Sequence, residues 1–171
     1  MKRRAGNVGT PALYTPEERR RRDASRWTLV QGVLAPLQFG VFVVSLALVL
    51  RFLATGDGFA AATASIVVKT VVLYTIMVTG SLWEKDVFGR YLFAPAFFWE
   101  DVVSMAVLAL HTAYLAALVL GTVSARAQMA LALAAYAAYL VNATQFVLKL
   151  RQARLDNTVY ADVHRVAGAL E

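Results

Sequence analysis

Glu100 and Asp101 stand side by side at the polar edge of a stretch, Val102 to Ala125, that carries no formal charge. Glu100, Ser104 and His111 are spaced by four and seven residues, so on a helix they share one face, with Asp101 and Thr112 on its shoulder. An ionisable group within a membrane span costs about 2.5–3.5 kcal/mol on insertion scales, so each one needs a physical reason. For the acidic pair one reason is electrostatic, because acids are favoured at a helix N-terminus. The other is chemical. Two carboxyls held close together titrate as a pair, one protonated and one ionised, which gives an acid and a base in one place. His111 reads either as a hydrogen-bonded packing residue or as a ligand.

Further polar groups fall at matching depths. Thr79, Ser81, Trp83 and Glu84 close the stretch that begins at Phe59. Gln31, Ala35, Gln38, Phe42 and Ser45 form one helical face of the first apolar stretch, and Ala135, Ala138, Asn142 and Gln145 form a stripe on the last. Gln31, Glu84, Glu100, Asp101, Asn142 and Gln145 therefore meet at one level from four segments. Interhelical hydrogen bonding explains the amides singly; accidental packing would scatter them in depth. Trp83, Phe88, Tyr91, Phe93, Phe97, Phe98 and Trp99 surround that level. They suit an interfacial aromatic belt or the seat of a flat apolar molecule. Lys69 and His111 each lie about nine residues from the outer end of their span, hence at similar depth at ~1.5 Å rise per residue. Lys69 is too deep to snorkel easily; structural pairing and a functional role both fit it.

The elements that must hold these residues are transmembrane helices. The chain has 171 residues, 59% hydrophobic and 16% charged, against about 25% charged in a soluble domain. Thr28 to Leu50, Val102 to Ala125 and Ala127 to Leu148 are uncharged, and Phe59 to Trp83 is interrupted only by Lys69. Each matches the ~20 apolar residues that cross ~30 Å of hydrocarbon. The prediction is an all-α four-helix transmembrane bundle with helices at about 27–53, 59–84, 97–121 and 126–150. A basic segment, 1–26, precedes this 27–154 membrane domain, and a polar, mobile tail, 155–171, follows it. Of 17 Lys and Arg, 14 lie at the two ends and in the loop from Glu84 to Asp101. The positive-inside rule puts both termini in the cytoplasm. The net charge of +6 is concentrated at span ends, which points to lipid head groups rather than nucleic acid. With no cysteine, disulfides and thiolate metal sites are excluded. Residues 1–26 lack the apolar core of a signal peptide, so the first span serves as the insertion signal. Pro36, between Gly32 and Gly40, is expected to kink the first helix, for packing or as a hinge.

RRDASRWTLVQGVLAPLQF (21–39), KTVVLYTIMVTGSLWEKDVFGRYLFAPAFFWEDV (69–102), LALHTAYLAAL (108–118) and AAYLVNATQFVLKLRQARL (137–155) resemble the 3-vinyl bacteriochlorophyllide hydratase family of phototrophic bacteria. The likeness runs from about Leu13 to Leu155. It implies a hydro-lyase that adds water to the C3-vinyl group of chlorophyllide a or 3-vinyl bacteriochlorophyllide, giving a 1-hydroxyethyl group in bacteriochlorophyll a synthesis. It also implies a multi-pass protein of the bacterial inner, intracytoplasmic membrane, with no cofactor. The substrate is flat, largely apolar and carries a free propionate. On that reading Glu100 or Asp101 donates the proton and Glu84 orients water. Gln31, Gln38, Trp83, Phe98, Trp99, Ser104, His111, Asn142 and Gln145 bind substrate. No metal of the protein's own is expected, although His111 could ligate the substrate's magnesium, and Arg26, Lys85, Arg90 or Lys149 could pair with the propionate. A homo-oligomer, or contact with neighbouring pigment-pathway enzymes, remains open. The competing reading is a non-catalytic pigment-binding or assembly subunit of a photosynthetic complex. A b-type haem subunit is disfavoured, because His111 is the one histidine within a span.

Overall fold

The computed structural model describes residues 13–168, with side chains as far as Leu155. Helix α1 spans Pro16–Ala24, α2 Arg26–Thr55, α3 Phe59–Phe88, α4 Phe98–Leu120 and α5 Ala125–Gly168. Four of these are long and apolar enough to cross a membrane, and among the described residues there is no strand. The all-helical, four-span expectation is met.

Two boundaries differ from expectation. Helix α1 forms inside the basic N-terminal segment. Thr15 Oγ1 accepts from the Glu18 amide at 3.2 Å, and the Glu18 carboxylate accepts from the Thr15 amide at 2.8 Å. This capping box, with Pro16 at the first helical position, starts a helix that composition alone leaves as a polar stretch. At the other end, α5 does not stop near residue 150 but runs to Gly168. No Gly or Pro stands between Ala125 and Val166, so the backbone meets no breaker.

The spans pair as two antiparallel hairpins, α2 with α3 and α4 with α5. Gly89 (φ 80°) ends α3 and Gly121 (φ 62°) ends α4, both in the left-handed region where a Cβ is unfavourable. The hairpins meet over Phe42, Val49, Ile66, Val107, Tyr114 and Tyr136, all buried. Ala62, Ala132 and Ala135 are almost fully buried and let backbones approach closely, as apolar helices in lipid require. Ser45 Oγ lies 2.5 Å from Tyr136 Oη and 2.7 Å from Ser65 Oγ, joining α2, α3 and α5. A second cluster of Tyr14, Val87, Phe97 and Ala153 closes the other end of the bundle. Tyr14 stacks on Phe88 (5.9 Å between centroids), so the segment before α1 folds back over the helix ends.

Candidate active site

The end of α3, the connection 89–97 and the start of α4 bring three carboxyl groups together. Glu84, Glu100 and Asp101 are all buried. The side chains of Glu84 and Asp101 face each other across the α3–α4 junction, close enough to interact. Two carboxyls this close titrate as a pair, which favours one protonated and one ionised group.

The connection secures this pair through its backbone. Phe93 N–H donates to Asp101 Oδ2 at 2.7 Å, and Ala94 N–H donates to Glu84 Oε2 at 3.2 Å. Phe93 has φ 58°, unusual for a residue other than glycine. That turn aims two successive amides at two different carboxyls.

Glu100 is held differently. Lys149 Nζ lies 3.6 Å from Glu100 Oε1 and donates to the Ala96 carbonyl at 2.6 Å. Asn142 Nδ2 donates to the Glu100 carbonyl oxygen (3.0 Å) and to Ser104 Oγ (2.9 Å), while Ser104 donates to the same carbonyl at 2.8 Å. Glu100 thus joins α4 to α5 as an ion-paired anchor, and its neighbour Asp101 is the one that meets Glu84.

The aromatic residues divide into a lid and a face. Phe97 is buried among Trp83, Phe88 and Phe146. Phe93, Phe98 and Trp99 are exposed, Trp99 at 69%, and pack in sequence, Phe93 on Phe98 (5.8 Å) and Phe98 on Trp99 (5.4 Å). This open aromatic face begins at the residue whose amide holds Asp101.

Glu84, Glu100, Asp101, Ser104 and Asn142 therefore converge. Other residues expected at the site make no hydrogen bond to this group. Gln31 donates to Thr79 Oγ1 (2.7 Å), and Trp83 Nε1 donates to Thr28 Oγ1 (3.0 Å), so both tie α2 to α3. Gln145 Oε1 is buried with no hydrogen-bond partner. Gln38 is buried on α2, one turn before Phe42. His111 Nδ1 lies 2.8 Å from the Val107 carbonyl oxygen, so it donates there and leaves Nε2 as an acceptor. Lys69 Nζ occupies that acceptor at 3.2 Å, which engages both ring nitrogens of His111. An open apolar cleft of about 760 Å³ lies between α2 and α3 at Pro36, Gly40, Val44 and Ser65, remote from the carboxyls.

Sequence reasoning missed the paired backbone amides of Phe93 and Ala94, which leave no side-chain signal. It also missed Tyr14, although a tyrosine directly before a Thr-x-x-Glu cap marks a segment that can be pinned.

The family model for 2-vinyl bacteriochlorophyllide hydratase (BCHF) matches residues 14–152. The chain belongs to the 2-vinyl bacteriochlorophyllide hydratase family. A protein of that name from Cereibacter sphaeroides is 70% identical over 144 residues, covering 84% of this chain and 89% of the relative. Another, from Rhodobacter capsulatus, is 67% identical over 149 residues, covering 87% of this chain and 86% of the relative. No solved structure matches. The "2-vinyl" of these names and the "3-vinyl" used above number the same ring position by two nomenclatures. In this 2-vinyl bacteriochlorophyllide hydratase family member, the matched region contains the whole acidic cluster, from Glu84 to Lys149, and Tyr14 as well.

Proposed function

We propose that this chain hydrates the vinyl group of a chlorophyllide-type macrocycle in bacteriochlorophyll synthesis, with Glu84 and Asp101 as the proton-handling pair. The observation that carries the reading is the meeting of two buried carboxyls from different helices, each held by a backbone amide.

The reaction adds H and OH across a C=C bond and needs no redox partner. The protonated carboxyl gives its proton to the terminal vinyl carbon. The adjoining carbon becomes cationic and the conjugated ring delocalises the charge. Water attacks that carbon, and the ionised carboxyl accepts the proton released. The pair ends with one proton, as it began, so no net proton is consumed beyond the water added. Ejecting bulk water protects the cation, and burial of both carboxyls serves that end.

The macrocycle lies against Phe93, Phe98 and Trp99, reached from the bilayer, with its vinyl edge toward Asp101. Ring-on-ring contact of this kind suits a planar pigment. Phe93 and Ala94 cover the carboxyls, so the 89–97 connection has to yield when the vinyl group arrives. Lys149 is committed to Ala96 and Glu100. Arg90, exposed on the same connection, is left to meet the propionate, while Lys85 at the end of α3 donates to the Gly89 carbonyl. His111, with both ring nitrogens engaged, stays outside this geometry.

The 14 Lys and Arg at the ends and in the 84–101 loop favour a cytoplasmic position for both termini and for the site. The protein then sits in the bacterial inner membrane, with its carboxyls at the cytoplasmic boundary. Glu84→Gln and Asp101→Asn, expressed in a host lacking the activity, test the assignment. Each is expected to insert and to accumulate vinyl substrate without the blue-shifted hydrated product. Full hydration by both single variants would remove the pair from the mechanism.

A further inference from the structure

We infer that Gln38 is a water-binding site inside the bundle, which positions a water molecule on the membrane side of the carboxyl pair. The inference rests on the hydratase reading above, because that reaction must bring water into an apolar protein.

Gln38 is 2% exposed, and neither its amide nitrogen nor its amide oxygen has a hydrogen-bond partner. An amide buried this way is strongly disfavoured, and more so between helices in lipid, where no outer water compensates. The other buried polar side chain of α2 behaves differently. Ser45, two turns further along the same face, bonds both Tyr136 and Ser65.

Its surroundings follow from the helix register. On α2, Phe42 packs on Tyr139 of α5 (5.0 Å between centroids) and Ser45 meets Tyr136. The two helices are antiparallel, so one turn back from Phe42 and one turn on from Tyr139 bring Gln38 to the level of Asn142. Asn142 uses its amide nitrogen on Glu100 and Ser104, which leaves its carbonyl oxygen as an acceptor. Gln145, one turn beyond, also carries a buried carbonyl oxygen with no partner.

The occupant has to be small. The cleft on one side of α2 is lined by Pro36, Leu37, Gly40 and Val41, and the groove on the other by Phe39 with Leu140, Ala143 and Thr144. Gln38 lines neither. A pigment or lipid tail in those grooves does not reach its amide, whereas a water with one donor and one acceptor on Gln38 and a third contact on Asn142 is satisfied as buried waters are. From there the next polar groups are Ser104 Oγ and the Glu100 carbonyl, one residue from Asp101 on α4. Gln38 is a positioning residue on this account and never touches the pigment.

Two measurements on the full-length protein in lipid nanodiscs test this. The first is a structure at a resolution that shows ordered water. Density within hydrogen-bond distance of both Gln38 amide atoms is expected, and a dry amide at that resolution overturns the inference. The second is kinetic. Gln38→Met is expected to lower kcat on the order of 10- to 100-fold with KM unchanged, and Gln38→Glu, which keeps an acceptor at the same reach, to recover part of it. Unchanged kcat in Gln38→Met overturns the role in supplying water. If instead Glu84→Gln and Asp101→Asn both hydrate normally while Gln38 is solvated, the carboxyl mechanism fails and the water site stands.

Discussion

Lys69 Nζ lies 3.2 Å from His111 Nε2, with the rings of Tyr139, Tyr136 and Phe42 at 4.0, 5.3 and 5.9 Å on its other sides. Four helices meet at this one amine. His111→Leu removes its acceptor and is expected to destabilise the protein by about 1–3 kcal/mol, as for any stranded buried donor. Adding Lys69→Met to the same chain removes the stranded group, so the double variant is expected to be more stable than His111→Leu alone. Thermal unfolding in nanodiscs measures both. The absorption of bound pigment is expected to be the same in the double variant, on the proposal that His111 is not its ligand.

The carboxyl pair acts as a unit if Glu84 and Asp101 exchange one proton. Each single amide variant is expected to lower kcat by about 10²–10⁴-fold, the span of general acid–base catalysis. The double variant is then expected to be no worse than the weaker single one. Multiplicative losses, measured by product chromatography, would show two independent roles.

Phe93 combines two functions that mutation can separate. Phe93→Gly relieves the left-handed backbone and keeps the amide that holds Asp101, but deletes the ring. A stable protein with raised KM is expected. Phe93→Val places a β-branched residue at positive φ, where the backbone cost alone is about 1–3 kcal/mol. It is expected to lose thermal stability as well as affinity.

Lys149 fastens the 89–97 connection from α5, through Ala96 and Glu100. Lys149→Met is expected to loosen that connection, with a stability loss of about 1 kcal/mol. Hydrogen exchange of residues 89–97 is expected to speed up, and that of the Lys69 layer to stay as it was.

Tyr14 offers a pH test outside the spans. Burial pushes its phenol up to about 12, against the opposing pull of Arg22, whose guanidinium lies 4.8 Å from the ring centre. A group raised in the folded state stabilises that state fully below its unfolded value, near 10, and the benefit is lost as pH climbs through about 12. Protease sensitivity at the Arg19–Arg22 run is therefore expected to increase over that window. Tyr14→Phe, which cannot ionise, is expected to remain protected there.

The spans and the polar layer were legible because lipid imposes a single rule, that long uncharged stretches and costly polar groups both stand out. Glu84, Glu100, Asp101, Ser104 and Asn142 were found that way, by depth and face. Depth does not fix partners. Glu100 and Asp101 are adjacent in sequence, yet about 100° of helical rotation sends one to Lys149 and the other to Glu84. Gln31 and Trp83 sit near the expected level, but their nearest polar neighbours, Thr79 and Thr28, lie on the α2–α3 seam. The amides of Phe93 and Ala94 were invisible because backbone donors carry no residue signature, and Phe93 lacks the glycine that usually announces positive φ.

Helix α5 has a mechanical corollary. Its 44 residues make an unbroken rod about 66 Å long at 1.5 Å per residue, roughly twice the hydrocarbon thickness. Even with its first turns at the far surface, some 20–30 Å of stiff helix stands clear of the lipid on the side of the carboxyls. A dye attached near Gly168 would ride on a mast of set height rather than on a tether. Its distance from the membrane plane would report the tilt of α5, the same helix that presents Asn142 and Lys149 to the site.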